Sequence, residues 1–370
     1  MKRVHLLLIC LILCVGNITS LDATADFVQG TPEIKSIGSL AFGPEGVLFV
    51  GDSQGAAVFA LDFGDKTANT KNERLEVQDI DKKIASMLGT TVKDVQIHDL
   101  AVNPISQNVY LSVSRGRGND TIYLLLSISP GGEISEVSLE NVKYAKKELS
   151  NPVGVDAKTR RGGSLRVDAI TDLVYSDGQL LIAGLSNEEF SSTLRATRFP
   201  FEDKESATSL EIYHAAHRRY ETNSPIRTFL TYTLKDVSYV LAAYTCTPLV
   251  TFPMSAIEDG VHIKGTTVAE LGSGNRPLDM LVYQNDDKEY ILIANSNRTL
   301  MKIDPADIEK QEKGLTEPVS GRHHTAGAEY VAIAQVGVQQ IDNLNDEYVV
   351  AIQRMANGSL NLKSFPKRRL

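Results

Sequence analysis

Five histidines stand in loops that lead into apolar strands, and they are the residues here best suited to chemistry. His98 lies in Ile97-His98-Asp99, His214 and His217 in His214-Ala-Ala-His217, and His323 and His324 are adjacent. Imidazole offers a lone pair at neutral pH without a charge to desolvate, so a cluster of such rings suits copper or zinc. Cys246, in Tyr244-Thr-Cys-Thr-Pro248, would add a soft ligand and favour copper first and zinc second. Neighbouring rings cannot easily reach one ion together, so His323 and His324 offer one ligand between them. Asp99, Asp172 and Glu221 are of the right type to orient imidazoles from behind. Arg227 and Arg276 would face a substrate, or hold backbone carbonyls between strands. Each residue also has a plainer reading: a polar loop histidine, a small buried thiol, an inter-strand hydrogen bond. No catalytic set follows from these residues.

Other chemistries lack their residues. The chain has neither a Gly-x-x-x-x-Gly-Lys-Ser/Thr phosphate loop nor a Gly-x-Ser-x-Gly nucleophile elbow. Gly116-Arg-Gly118-Asn-Asp120 reads as a turn between strands, so no nucleotide is expected. With no tryptophan among 370 residues, a Trp-derived quinone is excluded. The net charge of −8 comes without a basic block, which argues against nucleic acid. The closing Lys367-Arg368-Arg369 is too short to change that.

Residues 1–25 read as a secretory signal. Lys2-Arg3 precedes an apolar stretch at 6–15, and a small-residue cleavage pattern follows near Ser20 or at Ala23-Thr24-Ala25. The apolar stretch is too short to span a bilayer, and no later segment is long enough either. The expectation is a periplasmic or secreted protein whose single domain covers residues 26–370. Its one remaining cysteine, Cys246, has no internal disulfide partner.

The elements that must position these residues come as a loose repeat. Strand groups begin near residues 39, 99, 172, 226, 278 and 330, each with three short apolar strands, the first two joined by a turn with Gly, Pro, Asn or Asp. Short strands of this kind bury both faces when similar sheets pack around an axis. The fold class expected is all-β: a β-propeller of six or seven four-stranded blades, with residues 27–35 available to close a seventh. Two short helices interrupt it. One spans 81–89, capped by Asp81, with Ile84, Met87 and Leu88 on one face; the other opens at Asp304-Pro305 and ends by Gly314. In a propeller, the loops leading into the innermost strands converge on one axial mouth, so the histidines are expected to meet there.

Several segments resemble a family of exported bacterial proteins that look like β-propellers. They are Asn108-Val-Tyr-Leu-Ser-Val-Ser-Arg-Gly-Arg-Gly118, Ala183-Gly-Leu-Ser-Asn-Glu-Glu-Phe190, Glu211-Ile-Tyr-His-Ala-Ala-His217, Ala242-Ala-Tyr-Thr-Cys-Thr-Pro-Leu249 and Arg276-Pro-Leu-Asp-Met280. A looser similarity, through the stretch 40–52, is to NHL-type and gluconolactonase-like propellers. The resemblance implies the fold and export, and no particular reaction. Three functions stay open at this point. The first is an exported propeller with an axial histidine metal site, for redox or metal-assisted chemistry on a small molecule. The second is a scaffold for an exported protein partner, using the insertions at 64–97 and 143–168. The third is a lactonase-like hydrolase.

Overall fold

The computed structural model describes residues 23–321 and 324–370. Most of the segment read as a signal, and His323, lie outside the described residues. The chain forms six β-sheets, each with a core of four antiparallel strands, arranged as a propeller. We number the blades by the chain order of their innermost strands: I (Leu40–Phe42), II (Val95–Val102), III (Asp172–Ser176), IV (Thr228–Leu234), V (Pro277–Asn285) and VI (Val338–Asn343).

The second strand of each blade is apolar along its whole length because a blade packs on both faces. In blade III, Leu180, Leu181, Ile182 and Ala183 are all buried. The third strand, Ser192–Arg198, shows the two-residue alternation beneath this: Leu194 and Ala196 enter one interface, while Thr193 and Arg195 point to the other side. Six apolar clusters fill the six gaps between blades, pairing I with III, III with IV, IV with V, V with VI, VI with II, and II with I. The ring therefore does not follow chain order at its start. Blade II sits between VI and I.

This order requires two non-local closures. Blade VI takes its fourth strand from Glu76–Val77, and blade I takes its fourth from Val142–Glu148, after blade II is complete. Joining early and late chain this way leaves no open gap in the ring.

Several sequence expectations change. The blade count is six. Residues Val28–Gly30 add a fifth strand to blade I instead of starting a seventh blade. Val331–Ile333, expected to open the sixth group, is the outer strand of blade V, and blade VI opens at Val338. The helix expected at 81–89 spans Ile80–Met87. Asp79, not Asp81, precedes it, and Met87 is exposed while Ile80 and Ile84 are buried between blades II and VI. The second helix, Pro305–Glu309, is capped as expected by Asp304, whose carboxylate accepts from the Ala306 N–H; it ends well before Gly314. The insertions assigned to partner contact also hold the two closing strands and the helix Ile80–Met87, so part of each serves the ring itself.

Candidate functional site

The innermost strands line an axial cavity of about 320 Å³. Four of them carry an aspartate there, and each bridges to the next blade. Asp99 accepts from the Leu40 N–H (2.7 Å) of blade I and from its own neighbour Leu100 (2.8 Å). Asp172 accepts from Phe229 (2.9 Å) and Leu173 (2.8 Å). Asp279 accepts from Ile341 (2.7 Å) and Met280 (2.8 Å). Asp342 accepts from Val102 (2.7 Å) and Asn343 (2.7 Å). Blades I and IV place Ser39 and Thr228 before the bridged Leu40 and Phe229. Burial raises these carboxyls, Asp172 to about 7 and Asp342 to about 6, against the backbone N–H bonds that favour the ion. Asp99 and Asp279 are raised by burial and also by the neighbouring carboxylates.

The histidines do not gather at this axis. His98 stands within an innermost strand, Val95–Val102, at a bulge between Ile97 and Asp99. Its Nε2 lies 2.8 Å from Ser114 Oγ, its ring rests on Tyr123, and burial lowers its pKa. His214 and His217 are instead at the periphery. His214 ends the outer strand of blade III, Glu205–His214, which turns into a short hairpin with Arg219–Glu221. The sequence expected this segment to lead into an inner strand; strand alternation explains where it goes. Leu210, Ile212 and His214 share the face packed on blade IV, and Glu221 pairs with Ile212 on that face. The turn is held by His217 N–H to His214 carbonyl (3.0 Å), with Arg218 in a left-handed conformation (φ 60°).

Glu221 is the centre of the hairpin. It accepts from His214 Nδ1 at 3.1 Å, His217 Nδ1 at 2.8 Å, Arg219 Nε at 3.0 Å and Ser224 Oγ at 2.8 Å. Burial acts to raise its pKa, but the bonds from His214, His217 and Ser224 outweigh that and hold it below the usual carboxylate range. An anionic Glu221 fixes the proton of each neutral ring on Nδ1, which leaves the lone pairs at Nε2. The rings lie 3.6 Å apart at 35°. His214 is 1% exposed and its Nε2 has no partner, whereas the His217 side chain is 41% exposed. One donor atom from each of His214, His217 and Glu221 falls within 4.8 Å of the others, the only such His, Cys, Asp or Glu group among the described residues.

Blade IV supplies the wall of this site. Glu270 is buried, accepts from the Ala216 N–H (3.2 Å) and leaves Oε2 unpartnered. Burial raises its pKa to about 7, with Glu221 adding to the rise. The Val319 N–H bonds the Ala215 carbonyl (3.2 Å), so the chain before His324 runs past the hairpin; His324 itself is exposed.

The other expected residues lie elsewhere. Cys246 is a half-buried free thiol in the turn before Pro248, its N–H bonded to the Asn275 carbonyl (2.9 Å), and it does not join the histidine group. Arg227 pairs with Asp168 (2.8 Å). Burial, and after it the charge of Arg227, lowers the pKa of Arg276. Asp99 and Asp172 are at the axis, away from any imidazole they were expected to orient. Sequence reasoning missed Asp279, Asp342 and Glu270. The first two had a signal, an aspartate recurring at the head of first strands; Glu270 had none.

The fold makes the chain a six-bladed β-propeller. No family model matches it, and no curated protein matches it, so the resemblance to NHL-type and gluconolactonase-like propellers gains no support from these comparisons. Solved structures similar to it include two of the Plexin A4 full extracellular region, domains 1 to 10 and domains 1 to 8. Both have a TM-score of 0.36 and 9% identity over 92% of this chain. The chain spans 40% and 46% of the length of those two. Among the described residues no helix is long and apolar enough to cross a membrane.

Proposed function

We propose that this is an exported propeller that binds one divalent transition-metal ion at the His214–His217–Glu221 hairpin on the outer edge of blade III. The observation that carries this is the buried Nε2 of His214, which lacks any partner. A buried acceptor left unsatisfied costs roughly 1–3 kcal/mol; a metal ion held there uses that lone pair and removes the cost. Glu221 accepts from both rings through Nδ1, the arrangement by which a carboxylate sets the tautomer and raises the basicity of histidine ligands. Two imidazole Nε2 donors backed by a carboxylate, without a thiolate, fit zinc better than copper, because Cys246, the residue that favoured copper, stands outside the group. Export follows from the pattern in residues 1–25.

Isothermal titration of the chelator-treated protein with zinc, and separately with copper(II), tests the proposal. One equivalent of zinc should bind, and His214→Asn or Glu221→Gln should weaken it by at least ten-fold with circular dichroism unchanged. Wild-type protein that takes up neither ion, or variants that bind as well as wild type, would overturn it.

A further inference from the structure

Strand alternation sends Leu210 and Ile212 into the interface with blade IV and turns Ser209 and Glu211 to the opposite face. The short strand His262–Lys264 pairs in parallel beside them, in a register that sets His262 opposite Ser209 and Lys264 opposite Glu211. Ile263 packs in the same interface as Leu210, so His262 and Lys264 share the face of Ser209 and Glu211. Three of these four side chains form a relay. Ser209 Oγ lies 2.9 Å from His262 Nδ1, and His262 Nε2 lies 2.9 Å from Glu211 Oε2. Lys264 Nζ holds the other Glu211 oxygen at 2.8 Å.

Charge sets the direction of the relay. Burial acts to raise the pKa of Glu211, but the bonds from Lys264 and His262 hold it below the usual carboxylate range. An anionic Glu211 can only accept, so it fixes the ring proton on Nε2 and leaves the Nδ1 lone pair for the Ser209 hydroxyl. A hydroxyl nucleophile then stands within reach of a base that a carboxylate orients. Ser209 and His262 both line a cavity of about 510 Å³, within the range of small-molecule pockets. The loop before Ser191 also borders it, and there the Glu189 and Phe190 N–H groups have no acceptor among the described residues, which leaves them free to hold an oxyanion. The rim is acidic, through Glu188, Glu189 and Asp259, and Phe190 lies 4.3 Å from the His262 ring with 37% of its surface exposed. Carboxylates around an open aromatic face suit a cation.

We propose that Ser209 and His262, with Glu211 as the positioning residue, hydrolyse a carboxylic ester of a cationic alcohol. Ser209 Oγ bonds to the ester carbonyl carbon as its proton passes to His262 Nδ1. The carbon–oxygen bond to the alcohol then breaks, and the alcohol leaves with that proton. Water attacks the acyl-serine in the same way, releasing the acid and restoring the serine, so one ester and one water give one acid and one alcohol. No step uses the metal-binding hairpin, whose His214 points to the other face of the strand.

Hydrolysis of acetylcholine by the whole protein, followed in a pH-stat beside its uncharged isostere 3,3-dimethylbutyl acetate, tests this. Acetylcholine should turn over with a kcat/KM higher by about ten-fold or more. Ser209→Ala should bring both esters to background with circular dichroism unchanged, and a fluorophosphonate should label Ser209 in the wild type and not in His262→Ala. Glu211→Gln should lower kcat by about 10²-fold or more at unchanged KM, because the ring proton is no longer fixed on Nε2. His214→Asn, or prior treatment with chelator, should leave the rate as it is. Wild-type protein inactive on both esters overturns the proposal. So do equal rates on the two, activity that survives in Ser209→Ala, or activity lost to the chelator.

Discussion

The axis and the blade III hairpin both concentrate buried carboxylates, and they use them in opposite ways. At the axis, each oxygen of Asp99, Asp172, Asp279 and Asp342 accepts one backbone N–H, half of these from the next blade. At the hairpin, Glu221 accepts only from side chains, two of which are imidazoles whose other nitrogen remains to be used. The axial set resembles a metal site by composition, yet its geometry closes the ring. The hairpin has fewer acids and an orphaned lone pair. Hydrogen-bond satisfaction, more than the number of acidic groups, separates a structural cluster from a binding one.

The largest effect should come from the axis. Asp279→Ala leaves the Ile341 and Met280 N–H groups without their acceptor, at roughly 1–3 kcal/mol for each N–H that water in the cavity does not rescue. Guanidinium unfolding should show that loss, with zinc affinity at the hairpin unchanged. An Asp279→Ala protein as stable as wild type would break the comparison, because the axial carboxylates would then need another purpose.

The hairpin should show the reverse pattern. His217 is largely exposed and sits in a turn, so His217→Ala should change stability by about 0.5 kcal/mol or less. Zinc affinity should nevertheless fall by at least ten-fold, read by titration on the same preparation. If stability drops as far as in Asp279→Ala, His217 is a structural residue and the contrast between the two regions fails.

Much of the ring was legible in the sequence. The apolar strand groups with their Gly, Pro and Asn turns report a two-faced sheet packed on both sides, and five of the six groups start where a blade starts. What escaped were the non-local closures. Glu76–Val77 is too short to stand out as a strand and acquires its role only by pairing with Leu362 and Lys363, nearly the whole chain away. The sixth group slipped because Val331–Ile333 is as apolar as an inner strand, and only its pairing with Leu300–Lys302 makes it an outer one. The same limit applied to the site. His214-Ala-Ala-His217 and Glu221 were recognisable by type, but a loop leading to an inner strand and a hairpin extending an outer strand have the same composition. Distances along the chain placed His98 and His214 in equivalent positions, and strand order separates them.

Acidity offers the finest test of the contrast. In Asp172 and Asp342 the folded carboxyl keeps its proton up to about 7 and about 6, well above the unfolded value near 3.9. Folding thus favours the protonated form. The stability this brings is complete below the unfolded pKa and is lost as pH rises through the folded one, at up to about 1.4 kcal/mol per pH unit for each extra proton held. Glu270, raised to about 7, acts in the same direction, while His98, whose pKa burial lowers, opposes it near pH 6. Glu221 has the opposite sign: its pKa is depressed, so its contribution is present above the unfolded value and fades only as pH falls below about 4. Between pH 5 and pH 8, Asp172→Asn should therefore flatten the decline of unfolding free energy with pH, because one carboxyl that must lose its proton in that window is gone. Glu221→Gln should act mainly in the acid range, with only a smaller change in that window from the loss of its push on Glu270. Denaturant titrations at half-unit steps separate the two, and an unchanged slope in Asp172→Asn would show that the axial carboxyls are ionised throughout, held so by their N–H donors despite burial.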